Sequence, residues 1–160
     1  MQLGHRNSID IDLFGDLQVD ETELDNFLGD LGTIELIKKT ANIYIFLIDN
    51  IKVDIVNYNY QWLDDVLIVD NIRLATIKDI AAMKFAAITG RGSKKDFIDL
   101  YFILKHYSIA DILTFYKTKY PNGSEIIVLK SLTYFADADL ESTLACLRKY
   151  HGKRLKSKLF

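Results

Sequence analysis

The tightest constraint in this sequence lies within its first fourteen residues. From residue 8 to residue 14 the pattern alternates strictly, with Ile9, Ile11 and Leu13 on one side and Ser8, Asp10 and Asp12 on the other. Alternation over seven residues, rich in β-branched side chains, predicts a half-buried strand. A strand repeats its side-chain direction every two residues, so Asp10 and Asp12 leave one face about 6.5–7 Å apart. Two carboxylates that close repel each other and attract a cation. Mg²⁺ is the natural partner, because it is held by one or two carboxylates together with substrate phosphates. The other reading is the wet face of an edge strand, where charge deters aggregation.

The rest of the chain sets the limits within which that strand must work. At 160 residues, 49% hydrophobic and 26% charged, there is material for one good core. A formal net charge of -2 and a pI near 5.9 exclude a global basic field of the kind that binds nucleic acid unaided. Cys146 is the only cysteine, which excludes an internal disulfide framework and thiolate-rich zinc sites and fits a reducing cytosol. His5, His106 and His151 share no metal-ligand spacing, so a histidine metal site is not expected. The longest apolar runs fall far short of a membrane span, and no signal-peptide pattern stands at the start. The expectation is a cytoplasmic protein with no membrane partner.

The order of elements predicts an α+β fold. Residues 20–30 carry Leu24, Phe27 and Leu28 at helical spacing, and Gly29 and Gly32 mark the end of a short amphipathic helix. Residues 33–39, 42–49 and 51–58 then read as three strands in quick succession. Asp49-Asn50 suits a two-residue hairpin turn, since both residue types tolerate positive φ. Residues 64–70 and 71–74 form a second strand pair or one bent strand. From Thr76 onward the pattern is helical, punctuated by Ser108, by Pro121-Asn122-Gly123 and by Asp137. The expected division is a sheet core over 1–75 and a helical region over 76–160, packed together as one unit.

Two charged positions stand out against this pattern. In the strand over 51–58, Ile51, Val53 and Ile55 take one face while Lys52, Asp54 and Val56 take the other. Asp54 then sits among apolar neighbours in a strand that reads as internal, where a carboxylate is costly unless paired or bound to metal. Beside the first strand it would join Asp10 and Asp12 in one patch suited to a two-metal site. The alternative is an ion pair with Lys52 or an arginine. Lys84 likewise interrupts the apolar run Ala81, Ala82, Phe85, Ala86 and Ile88 of a helix that Thr76 and Asp79 open with capping-box spacing. Arg91 follows Lys84 by two helical turns, so both cations can point one way. Ser93 and Asp96 repeat the cap spacing, and Asp99 lies one turn beyond on the same face. A basic, glycine-containing loop at a helix start also suits phosphate, because free backbone N–H groups point there. For Lys94 and Lys95 a solvated charge pair is the plainer reading.

Three segments together resemble a known family. His5-Arg6-x-Ser8-x-Asp10-x-Asp12-Leu13-Phe14, then Lys52-Val53-Asp54-Ile55, then Asp79-Ile80-Ala81-x-x-Lys84-x-x-Ala87-Ile88-x-x-Arg91 running on to Lys95-Asp96-Phe97-Ile98-Asp99-Leu100-Tyr101 look like the AbiEii/AbiGii nucleotidyltransferase toxins. These belong to type IV toxin–antitoxin and abortive-infection systems, within the polymerase-β-like nucleotidyltransferase superfamily. The resemblance implies a small mixed β-sheet core followed by a helical region. It implies Asp10, Asp12 and Asp54 as metal-binding carboxylates, with Lys84 beside them in catalysis. Arg6, Ser8, Lys84, Arg91, Lys95, Asp96 and Asp99 are implied to serve the nucleotide and its phosphates. The implied reaction is Mg²⁺-dependent transfer of a nucleotide from an NTP to an acceptor. Some members of that family are held to bind GTP and others to modify the acceptor end of tRNA, and a cognate antitoxin is the implied partner.

The family pattern places a Gly-Gly-Ser/Thr turn and a helix upstream of the His-Arg segment, and here Met1-Gln2-Leu3-Gly4 resembles only the last turn of that helix. The expectation is a depleted sheet whose exposed apolar surface invites a homodimer. It also sets an alternative function, a catalytically inactive member acting as a binding or regulatory partner. Residues 109–120, 124–135 and 137–150 read as amphipathic core helices. From Arg148 to the end there are six basic residues and no acidic one, a tail able to touch RNA phosphates.

Overall fold

The computed structural model describes residues 3–17, 21–29, 31–134 and 138. The chain divides into two compact units, Ser8–Asn59 and a second made of Met1–Asn7 with Tyr60–Phe160. The division therefore falls at residue 59 and not at 75. The first residues join the helical unit because His5 and Arg6 are bound to Asp99 there, and Leu3 packs on its core.

The unit Ser8–Asn59 is a four-stranded sheet with one helix. Its elements are β1 (Ile11–Gly15), α1 (Glu21–Gly29), β2 (Ile34–Lys39), β3 (Ile43–Ile48) and β4 (Ile51–Asn57), and the strand order is β1-β4-β3-β2. β1 runs parallel to β4 in the register Ile11↔Val53, Asp12↔Asp54 and Leu13↔Ile55. β3 and β4 are antiparallel and joined by Asp49-Asn50, with φ of 46° and 66°. Positive φ at both turn residues matches the right-handed twist of the flanking strands. Leu24 and Leu28 of α1 close over Phe46, Val53 and Ile55 to make the core of this unit. The expected strand starting at residue 8 begins only at Ile11, so Asp10 precedes the ladder.

In the second unit, β5 (Leu67–Val69) and β6 (Ile72–Leu74) form a separate hairpin that turns on Asp70-Asn71, again at positive φ. Helices α2 (Ile77–Gly90), α3 (Lys94–Ile103), α4 (Ile109–Lys119) and α5 (Glu125–Thr133) follow. Thr76 caps α2, accepting from the Asp79 amide, and Ser108 with Asp111 forms a full capping box on α4. Phe85, Phe97, Ile98, Leu100, Ile103, Ile112 and Val128 are fully buried between the helices. Apart from residue 138, the expected helix over 137–150 lies outside the described residues, as do Cys146, His151 and the basic tail. No helix among the described residues is long and apolar enough to cross a membrane.

One buried ion pair fastens this unit. Lys119 Nζ and Asp79 Oδ1 lie 2.7 Å apart with both side chains wholly buried. Further polar and aromatic contacts surround the pair. The Lys119 ammonium also donates to the Gln61 carbonyl and lies 4.5 Å from the Trp62 ring centre. Asp79 accepts from the Leu63 amide and the Thr76 hydroxyl as well. Removing one partner of such a pair strands a buried charge. Lys119→Met is therefore expected to lose about 3–5 kcal/mol of unfolding free energy at neutral pH, read from urea denaturation followed by helical circular dichroism.

Candidate functional site

The carboxylate face of the sheet follows from strand register. Asp12 of β1 stands directly opposite Asp54 of β4, and residues opposite each other on neighbouring strands share a face. Ile11 and Leu13 point to the α1 side with Val53 and Ile55, so Asp12, Lys52 and Asp54 occupy the other side. The sequence expectation that β4 is internal holds, since it lies between β1 and β3. Asp54 is already engaged: Lys52 Nζ reaches its two oxygens at 2.5 and 2.6 Å.

The donor chemistry here suits a hard cation, because the face offers carboxylate oxygens and no thiolate or imidazole. In this arrangement, however, no three His, Cys, Asp or Glu side chains among the described residues are gathered closely enough to hold a metal. The Lys52 ammonium supplies the counter-charge to Asp54 that a cation would otherwise provide. Asp12 and Asp54 are brought together by the fold, and Asp10 stands two residues ahead of Asp12, before the strand.

The helical unit contains a second cluster, built around two aspartates one turn apart on α3. Asp99 Oδ1 accepts from His5 Nε2 at 2.8 Å and from Arg6 Nε at 2.7 Å. Its Oδ2 accepts from Arg6 Nη2 at 3.0 Å and from Lys84 Nζ at 2.7 Å. Arg6 thus grips the carboxylate with a bidentate fork. Lys84 also reaches Asp96 Oδ1 at 3.0 Å, and Asp96 receives Arg91 Nε at 3.0 Å and the Ser93 hydroxyl at 2.6 Å. Arg91 sits just past the end of α2, so Lys84 and Arg91 meet on one acceptor as their spacing suggested. Ser93 occupies the N-cap position of α3, yet its hydroxyl donates to Asp96 and caps no backbone amide.

Electrostatics explains why two carboxylates persist in so dry a place. Burial pushes the Asp96 carboxyl up, but the Arg91 hydrogen bond, the Lys84 charge and the Ser93 hydroxyl outweigh it and hold Asp96 below the ordinary carboxylate range. Burial acts likewise on Asp99, and His5, Arg6 and Lys84 together carry it well below that range. Lys84 keeps 19% and Arg91 58% of its side chain exposed while both are bound to these carboxylates. Ser8 and Lys95 are half-buried.

His5 is the participant that sequence reasoning did not single out. Its ring is 95% buried, stacked on Phe102 at 4.6 Å, with Nε2 on Asp99 and a buried Nδ1 that finds no hydrogen-bond partner among the described residues. Its partner lies 94 positions away, a separation that spacing cannot reveal.

Comparisons with known proteins identify the family and the fold. Residues 1–141 match the family described as the nucleotidyl transferase AbiEii toxin of a type IV toxin–antitoxin system. The chain belongs to that family. An uncharacterized protein of Aquifex aeolicus, aq_aa25, is 36% identical over 144 residues, covering 86% of this chain and 70% of its own length. Two crystal structures from Helicobacter pylori share the fold at 18% identity and 96% coverage of this chain. One, of a candidate nucleotidyltransferase, has a TM-score of 0.59 and is covered over 75% of its length. The other, JHP933, has a TM-score of 0.56 and is covered over 73%. The α+β nucleotidyltransferase fold and the family expected from the three segments are thereby established.

The aspartate cluster makes stability depend on pH in a definite direction. Unfolded carboxylates titrate near 3.9, whereas folded Asp79, Asp96 and Asp99 titrate lower. Below about 4 the unfolded chain binds more protons than the folded one, so acid favours unfolding. The contribution is fully present above that range and is lost as pH falls through the folded values. Thermal midpoints followed by circular dichroism are expected to be flat on this account from pH 7 to about 5 and to fall steeply below about 4. Asp99→Asn is expected to lower the midpoint at pH 7 and to flatten the acid limb.

Proposed function

We propose that this AbiEii-family protein binds a nucleoside triphosphate together with Mg²⁺ and transfers its nucleotide to an acceptor. The observation that carries the reading is the in-register placement of Asp12 and Asp54 on adjacent parallel strands. With Asp10, these carboxylates would hold Mg²⁺, which when bound neutralises phosphate charge during phosphoryl-type transfer. For Asp54 to take part, its ion pair with Lys52 must open, leaving the Lys52 ammonium available to a phosphate oxygen. Lys84 and Arg91 engage the nucleotide phosphates through their exposed parts, and Arg6, Ser8 and Lys95 add to that binding. Asp96 and Asp99 act by holding these cations in place. GTP is the first nucleotide to try. An RNA, with tRNA foremost, is the acceptor this reading favours, met through the basic residues from Arg148 onward. A cognate antitoxin would restrain the activity in the cell.

A second reading rests on the Lys52–Asp54 pair. If that pair is permanent, no third carboxylate is available and the protein is a binding or regulatory partner with the fold of an enzyme. Calorimetric titration of each NTP with and without Mg²⁺ separates the two readings. The enzyme reading expects Mg²⁺-dependent binding of one nucleotide, abolished in Asp12→Asn. Hydrogen bonds to charged groups contribute about 1.5–3 kcal/mol, so Lys84→Met is expected to weaken binding about 10- to 150-fold. Absence of heat with every nucleotide would sink the enzyme reading and leave the second.

A further inference from the structure

Among the described residues, each oxygen of Asp99 faces two donors. Oδ1 takes His5 Nε2 at 2.8 Å and Arg6 Nε at 2.7 Å, while Oδ2 takes Arg6 Nη2 at 3.0 Å and Lys84 Nζ at 2.7 Å. An ionised carboxylate accepts at about four lone-pair sites and donates nothing. Asp99 is therefore fully occupied, and His5 Nε2 carries the hydrogen of the bond between them. Neither charge nor packing explains why a histidine stands there. Arg6 and Lys84 already bring full cations to Asp99. The ring stacks on Phe102 with centroids 4.6 Å apart, a contact that a hydrocarbon ring makes equally well. A hydrocarbon ring would also avoid burying Nδ1, which has no hydrogen-bond partner among the described residues and so costs stability. What the imidazole alone supplies is the donor on Oδ1.

That donor decides where Lys84 can settle. The Lys84 ammonium is shared, 2.7 Å from Asp99 Oδ2 and 3.0 Å from Asp96 Oδ1. A lysine ammonium is a compact charge on a flexible stem, with three donors that turn freely. Given an open site on Asp99 Oδ1, it would settle across Asp99 alone and leave Asp96. His5 and Arg6 together close that site.

We propose that His5 is a positioning residue whose Nε2–H bond to Asp99 keeps Lys84 bridged to Asp96, where its ammonium serves a phosphate. The phosphate role rests on the nucleotide-binding reading of Lys84, whereas the bridging does not.

Lysine ammonium resonances of the full chain at neutral pH test the bridging without nucleotide, because scalar couplings across hydrogen bonds identify the carboxylate that each ammonium touches. Wild-type Lys84 is expected to couple to both Asp96 and Asp99. His5→Phe and His5→Met keep apolar bulk against Phe102 and carry no donor. Both are expected to lose the Lys84–Asp96 coupling and to keep that of Lys119 with Asp79, which reports an intact interior. His5→Gln, whose amide takes the place of Nε2–H, is expected to keep all of them. In calorimetry, affinity for nucleotide with Mg²⁺ should fall about tenfold in the donorless variants and recover in His5→Gln. Adding His5→Phe to Lys84→Met should cause no further loss. A Lys84–Asp96 coupling that survives in the donorless variants overturns the proposal. So does its loss in His5→Gln, which would make the ring and not the donor responsible, and so does an unchanged affinity beside a lost coupling. The expected couplings in a chain whose wild type binds no nucleotide would uphold the bridging and overturn the nucleotide reading instead.

Discussion

The helical unit depends on how it handles buried negative charge. Asp79, Asp96 and Asp99 are all buried, and a lone carboxylate in such a place would be driven to protonate or to unfold its surroundings. Each is instead met by cations delivered from distant parts of the chain. Lys119 comes from α4 to Asp79, Lys84 from α2 to Asp96 and Asp99, and Arg6 from the first residues to Asp99. The same bonds that satisfy the charges therefore fix which helix lies beside which, and tie residues 3–7 to the helical unit. Leu3 and the His5–Phe102 stack add apolar contact to that anchor. Replacing the ions by hydrocarbon could match their stability. It could not reproduce a partly exposed lysine and arginine fixed at the edge of a dry interior.

In the sheet unit the governing constraint is strand periodicity. One face of β4 is committed to the core with Leu24 and Leu28, so the other face must present Lys52, Asp54 and Val56. The parallel register with β1 then decides that Asp54 meets Asp12 and not Leu13. A slip of one residue would have exchanged a carboxylate pair for an apolar pair and buried charge under α1. Placing carboxylates on neighbouring strands is thus a consequence of packing Val53 and Ile55, which is why so small a unit can present them at all.

Much of this was legible in the sequence where local chemistry decides it. Alternation gave β4 and most of β1, Asp49-Asn50 gave the turn between β3 and β4, and Thr76 and Ser108 gave the starts of their helices, whereas residues 64–74 left a hairpin and a bent strand both open. Lys84 declared itself because a charge within an apolar helical run must have a partner. What the sequence could not show were pairings across long separations. Nothing local links Lys119 with Asp79 or His5 with Asp99, at separations of 40 and 94 residues. The place of residues 3–7 was hidden for the same reason, since it depends on where Arg6 and His5 find their acceptor. The Lys52–Asp54 pair was one of two readings on the table, and a strand's period of two is what lets the ammonium fold back onto its neighbour.

The two units use charge in different ways. In the sheet unit Asp12 and Asp54 stand in register, with the Lys52 ammonium on Asp54, a surface of hard oxygen donors suited to a divalent cation. In the helical unit Lys84 and Arg91 stay partly exposed while bound to buried carboxylates, a surface suited to anionic oxygens. A free cation or a free anion would satisfy either surface without the other. Coupled dependence on nucleotide and Mg²⁺ is for that reason the property that separates a working transferase from two unrelated charged patches.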